Sequence, residues 1–286
     1  SRIMNTPVLS RRRFLQGSAL LSAPLILPSR VWSQATAPSK RLNVGCIGMG
    51  KQMVSHLSNC LNRDDIEVLA VCDVDRERRD EGAERVNKAY GNKDCRAYAD
   101  FRELNRRTDI DTVFVCTPDH WHALVAIDAM RNGKDVYIEK PMTLTIEEGR
   151  AVVAAARKHN RVAQHGTQHR SMKRFHDVAE YVRNGGLGKL HRIECFIPPN
   201  NRHCGATWKT EAVPEGLDWD MWLGPAPWRP YSSLGCHYNF RFISDAAYGQ
   251  VTNWGAHYLD IGQWAMDADA GGPVSVEGHG ELPSSG

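Results

Sequence analysis

No segment of the chain reaches the roughly 20 apolar residues that a membrane-crossing helix requires, so the sequence carries no candidate helical span. It has no CxxC pair, which argues against a structural zinc site. It also has little excess of either charge: 36 Lys and Arg against 33 Asp and Glu leave a net charge of +3. Part of that excess sits in the first dozen residues, so the folded body is near neutral and lacks the basic face of a nucleic-acid-binding protein. The eight cysteines do not read as a disulfide framework. Cys46, Cys72 and Cys116 lie inside aliphatic runs, where a free thiol packs as a small hydrophobe. What is present is ordinary globular material, 42% hydrophobic and 24% charged over 286 residues, long enough for two domains with separate cores.

Residues 1–37 read as an address. Arg11, Arg12 and Arg13, followed by Phe14 and Leu15, resemble a twin-arginine export signal. A short apolar stretch over 17–27 and small residues around Ser33, Ala35 and Ala37 complete the order of a secretory leader. The reading predicts export by that route, to the periplasm in a two-membrane cell, with no membrane anchor after processing. Because the route carries folded proteins, it also predicts that a cofactor is bound before export.

From residue 38 to 165 apolar runs alternate with helical segments. Strands are predicted at 42–47, 66–72, 112–116 and 135–138, and helices at 49–61, 123–131 and 146–159. That alternation implies a doubly wound parallel sheet covered on both faces, an α/β domain of the Rossmann type. The first strand runs into Gly48, Met49 and Gly50, where two glycines permit a tight turn and close approach of a pyrophosphate to a helix N-terminus. The third position of the fingerprint holds Met53 instead of glycine. Asp73, at the end of the second strand, is placed to accept hydrogen bonds from both ribose hydroxyls, favouring NAD over NADP, although Arg76, Arg78 and Arg79 lie close by. Asp73 also reads as a helix N-cap.

Three further motifs carry a resemblance. Thr117, Pro118 and His122 precede a helix; Gly133, Lys134 and the strand 135–138 lead into Glu139-Lys140-Pro141; and Gly249, Asn253, Gly255, His257 and Asp260 form a spaced set. Together they resemble the glucose–fructose oxidoreductase and inositol dehydrogenase family. The resemblance implies an NAD-dependent oxidoreductase acting on a sugar or cyclitol. Thr117, Pro118, His122, Glu139 and Lys140 would lie beside the cofactor, with Gly48, Met49, Gly50 and Asp73. Lys140 and His257 would be catalytic, the latter as acid/base. Asn253 stands where the family has aspartate; it would bind substrate or the imidazole without supplying a negative charge. Arg170 matches a position near substrate. The chemistry agrees: oxidising an alcohol needs a base, which a histidine supplies near neutral pH, and a cation beside the developing alkoxide.

Other readings are weaker. The His120 and His122 pair is not taken as a metal site. Trp208, Trp219, Trp222 and Trp228 suit the apolar faces of sugar rings, in a region that also holds His203, His237 and Tyr238. Residues 166–286 are predicted to form an α+β substrate and oligomerisation domain, which the resemblance makes an open, mostly antiparallel sheet with strands at 189–197 and 273–280. Family members continue further, and the chain starts at Ser1, so a fragment is expected. A homo-oligomer would form through that sheet. Two alternatives stand beside the oxidoreductase: a glycoside hydrolase or lyase that oxidises its sugar transiently with NAD, and a non-catalytic NAD- or sugar-binding protein.

Overall fold

The computed structural model describes residues 40–197 and 208–280. The leader, His203 and the eighth cysteine, Cys204, lie outside the described residues. By its internal contacts the chain divides into residues 1–41 and a second unit, 42–286, which contains all of the strands and helices named below.

Six parallel strands make the sheet: β1 Leu42–Ile47, β2 Ile66–Cys72, β3 Arg96–Tyr98, β4 Thr112–Val115, β5 Asp135–Ile138 and β6 Ala163–His165. Their spatial order is β3-β2-β1-β4-β5-β6. The chain therefore winds outward from β1 to β3, then crosses back and winds the other way from β4 to β6. The reversal lies between β1 and β4, where open α/β sheets leave a crevice at the carboxyl ends of their strands. Register is fixed by apolar alternation, with Ile47 opposite Cys72 on one side and Val115 on the other. A one-residue slip would turn every core side chain to the wrong face.

Two layers of apolar side chains sandwich the sheet. On one face Val44, Cys46, Val68 and Val71 meet Met53 and Leu57 of α1 (Lys51–Leu61) and Val86 of α2 (Arg76–Tyr90). On the other, Ile47, Val113, Val115, Val136 and Ile138 meet Leu104 of α3 (Phe101–Asn105) and Val125, Ala126 and Met130 of α4 (Asp119–Arg131). Val152 of α5 (Ile146–His159) joins that layer. Met53 is fully buried, so the missing third glycine is a core residue here. Thr145 and Glu148 form a reciprocal capping box that starts α5. The seven described cysteines are all free, as their packing predicts.

The strands and helices expected before β6 are all formed; α2, α3 and the two three-residue strands were not among those expected. β3 and β6 lie at the two edges of the sheet and are too short for alternation to register. The larger difference is beyond β6. Residues 189–197 and 273–280 pair with no strand among the described residues, and Val274 and Val276 are exposed. An isolated strand leaves its N–H and C=O groups unpaired, so apolar alternation alone does not make one. Among the described residues, 166–280 adds no strand to the six of the sheet. That region instead contains α6 Lys173–Arg183, α7 Trp219–Leu223, α8 Gly249–Asn253 and α9 Gly255–Ala265. A third core packs Trp219, Trp222, Tyr231 and Phe240. It is tied back to α4 by Trp121 Nε1, which donates to the Met221 and Trp222 carbonyls. Among the described residues no helix is long and apolar enough to cross a membrane.

Candidate active site

A cleft of about 710 Å³ opens at the carboxyl ends of β1 and β4 and runs towards α8 and α9. Its first half is backbone. Gly48 has φ +85°, and a Cβ there would stand 2.7 Å from backbone atoms of Cys116 and Thr117, so only glycine lets the β1 turn lie against the β4 loop. Gly50 differs: a Cβ would meet nothing nearer than Arg78 Nη1 at 3.6 Å. No side chain caps α1 there, which leaves its first-turn N–H groups to whatever lies in the cleft. Thr117 lines the same space with a buried, unpartnered Oγ1. A glycine cradle, an uncapped helix start and an orphan hydroxyl fit a dinucleotide pyrophosphate.

Several expected cofactor contacts are otherwise engaged. Asp73 lines the cleft, but its carboxylate accepts N–H bonds from Met49 (2.6 Å) and Asp75 (2.9 Å). Burial raises its pKa. It does not cap α2; Asp75 does, accepting from Glu77 N. Met49 does not line the cleft: its N–H goes to Asp73, and its side chain packs against Gly82, where a Cβ would come within 2.6 Å of Met49 Cε. Glu139 is buried behind the site: it accepts from Gln52 Nε2 and the Lys140 N–H, and lies 2.7 Å from His56 Nε2. His122 is equally remote, its ring nitrogens 2.7 and 2.8 Å from the Pro141 and Thr117 carbonyls. Burial pushes its pKa down to about 4. Glu139 and His122 therefore position the loops that line the cleft and do not themselves line it. Pro118 does line it, at the start of α4.

The other half of the cleft gathers the predicted catalytic side chains. Lys140 leaves the end of β5, and its Nζ donates to Asn253 Oδ1 at 2.9 Å and to the Asn253 carbonyl at 3.0 Å. Asn253 Nδ2 donates in turn to Gln250 Oε1. Asn253 thus holds the lysine instead of the imidazole. His257, one helical turn on, lines the cleft and stacks on His169 with ring centroids 4.3 Å apart. Burial, then the Lys140 charge and His169, push the His257 pKa down to about 4. Burial, then Arg241, lowers that of Lys140. At neutral pH the site therefore presents a neutral imidazole, able to take a proton, beside an ammonium.

Arg170 is corrected. Its guanidinium forms a fork with Asp260, at 2.8 and 2.7 Å, and a second pair with Asp269. It ties the turn after β6 to α9 and does not line the cleft. Its neighbours Gln168 and His169 do, with Gln168 Oε1 and His169 Nδ1 buried and unpartnered. The sequence signal reached the right turn and chose the wrong residue, because only the turn's geometry decides which of three adjacent side chains faces inward. Of the four tryptophans expected at a sugar platform, Trp222 lines the cleft and Trp219 stacks behind it at 4.8 Å. Trp208 instead packs under Arg229, and Trp228 is exposed. Trp121 and Trp254 line the cleft without having been singled out, as does Arg241; His237 and Tyr238 line it as well. Asp119, also missed, is buried nearby, and burial raises its pKa to about 7. Among the described residues no cluster of three or more His, Cys, Asp or Glu side chains is placed to hold a metal ion.

Residues 42–167 match the model of an oxidoreductase family with an NAD-binding Rossmann fold, and 202–282 match that family's C-terminal alpha/beta domain. An alpha-N-acetylgalactosaminidase of Shewanella oneidensis is 31% identical over 173 residues, 52% of this chain and 37% of that protein. A glycosyl hydrolase family 109 protein of Shewanella pealeana is 29% identical over 170 residues, again 52% of this chain and 37% of the relative. The matched segment thus spans little more than a third of these relatives. The crystal structure of an NAD-binding protein from Listeria innocua superposes with a TM-score of 0.54 at 22% identity, covering 78% of this chain and 52% of that one; it shares the fold. With both of its domain models matched in order along the sequence, this chain belongs to the glucose–fructose oxidoreductase and inositol dehydrogenase family of oxidoreductases, and its N-terminal domain is an NAD-binding Rossmann fold.

Proposed function

We propose that this chain, with NAD bound, oxidises a secondary hydroxyl of a carbohydrate or cyclitol. The observation that carries the reading is the convergence of Lys140 Nζ, Asn253 and His257 on one cleft, which the Gly48 turn also lines. Gly48, Gly50, Thr117 and the start of α1 would hold the dinucleotide. Asp73 at the end of β2 favours NAD over NADP by placing a carboxylate where a 2′-phosphate would lie. Bound NAD supplies the acceptor for the carbon-bound hydrogen and its electron pair. His257, neutral, takes the hydroxyl proton. The Lys140 ammonium, fixed by two acceptors on Asn253, stabilises the oxygen as negative charge grows on it, in a site whose burial strengthens that interaction.

A second reading comes from the 31% identity to a protein named alpha-N-acetylgalactosaminidase. Oxidising a ring hydroxyl to a carbonyl acidifies the adjacent C–H. Loss of that proton expels the glycosidic oxygen by elimination, and addition of water and return of the hydrogen then complete a hydrolysis with no net redox change. The two readings separate on one experiment, in which the NAD-loaded protein meets a panel of sugars, cyclitols and aryl glycosides. NADH accumulating with a free sugar or cyclitol identifies a dehydrogenase. Aglycone release without NADH identifies the glycosidase. Neither product anywhere in the panel would reduce the chain to a binding protein.

We also propose that the twin-arginine-like leader exports the folded protein with its cofactor in place. Protein that loses its NAD on dialysis, and works only with freely exchanging cofactor, would remove that proposal.

The Lys140–Asn253 contact supports a pH prediction. Asn253→Asp places a carboxylate on the lysine and near the imidazole. Negative charge stabilises both protonated forms, so both pKa values rise. His257 then loses its neutral form at a higher pH, and Lys140 keeps its charge to a higher pH. The kcat/KM profile should shift upward on both limbs; an unmoved profile would show that residue 253 is not coupled to either group.

A further inference from the structure

The substrate half of the cleft is lined by two cations, neither of them ion-paired with a carboxylate among the described residues. Besides Lys140 it is lined by Arg241, which belongs to the short turn carrying Tyr238 and Phe240. Arg241 Nη1 donates to the Tyr238 carbonyl at 3.0 Å, and its guanidinium lies over the rings of Tyr238 and Phe240, at 4.6 and 4.5 Å. These contacts hold the side chain in place without neutralising it. Among the described residues neither Arg241 nor Lys140 has a carboxylate within 4 Å, although 15 other ion pairs of that kind are formed. Outside the described residues the sequence has one acidic side chain, Glu281.

Three nearby groups were candidates to supply the missing charge. Glu139 faces away, engaged by Gln52, His56 and the Lys140 N–H. Asp119 is buried, does not line the cleft and forms no ion pair with either cation; burial and the two cations oppose one another there, and its carboxyl is held near pKa 7. Position 253, the third, is an asparagine. Withdrawing an unpaired charge from water is costly, and here both cations are half-buried, with Arg241 as well as Lys140 shifted downward by burial. A neutral polyol would leave that cost in place. An anionic one would remove it, and a planar guanidinium is suited to the two oxygens of a carboxylate.

We infer that the substrate is a carbohydrate acid, its carboxylate bound by Arg241 while Lys140 faces the hydroxyl to be oxidised. The inference rests on the carbohydrate reading above and narrows it to uronic acids and their glycosides.

The test is calorimetric titration of the full chain with NAD present. Matched probes are used: D-glucuronate against D-glucose, D-galacturonate against D-galactose, and glucose 6-phosphate as an anion of different shape. One uronate should bind at least about tenfold more tightly than its neutral partner, as charge-assisted hydrogen bonds do. Arg241→Met should erase that difference while leaving NAD affinity unchanged. Arg241→Lys should restore part of it, which distinguishes loss of charge from misfolding. Equal binding of acid and neutral sugars, or an uronate preference that survives Arg241→Met, overturns the inference and leaves the carbohydrate reading standing. Preference for glucose 6-phosphate over glucuronate overturns the carboxylate assignment. Binding of NAD with none of the five sugars overturns both the inference and the reading beneath it.

Discussion

Lys140→Ala is expected to lower kcat/KM by about 10²–10³-fold or more, the range seen when one preorganised donor to a developing oxyanion is removed, with NAD affinity nearly unchanged. The separation follows from where the ammonium is. Nζ is fixed by the side chain and carbonyl of Asn253. It is half-buried, so its field acts in part through protein instead of water. Removing it takes charge from the reacting oxygen and leaves the glycine cradle and the start of α1 intact. Single-turnover absorbance of the nicotinamide measures the first quantity and calorimetry with NAD the second. A variant that turns over at near-normal rate would remove Lys140 from the chemistry. One that loses NAD in proportion to activity would make it a cofactor ligand.

His257→Ala is expected to lose about 10²–10⁴-fold in kcat, as general-base deletions do, and to lose the acid limb of the pH profile. The sign follows from its surroundings. Burial and the neighbouring Lys140 and His169 hold the imidazole pKa at about 4, so the neutral, proton-accepting form predominates above that pH. Wild-type kcat/KM should stay level as pH falls towards 4 and drop below it. In the alanine variant that inflection should vanish. If His257→Ala raises KM alone, the histidine binds substrate and another group takes the proton. His169 is the next candidate, stacked against it with an unpartnered Nδ1.

These two residues were legible in the sequence because their signals combine a motif with a place in the fold. Lys140 follows a strand whose carboxyl end opens on the crevice, and His257 sits four residues after Asn253 on one helical face. Arg241 and Asp119 had no such signal. Neither spacing nor composition distinguishes a half-buried, cleft-lining arginine from a surface one until the turn of residues 237–242 is folded against the cleft.

The sequence by itself determined the Rossmann half. Four strands, their parallel pairing and the glycine turn follow from short-range facts, namely apolar alternation, helix period and the conformations open to glycine, which local residues dictate whatever lies around them. It also picked out Lys140 and His257, which the fold brings to one cleft. Tertiary structure decided what each polar side chain faces. Glu139 and His122 lie in the right motif yet point away from the cleft, because His56 and Gln52 of α1 and two loop carbonyls meet them first. Arg170 is turned towards Asp260 and Asp269 from α9 and the segment after it, 90 and 99 residues on. Tertiary structure decided the second half as well: residues 189–197 and 273–280 have strand-like sequences, but a strand needs a partner to take its backbone hydrogen bonds, and alternation along one segment does not say whether a partner lies beside it.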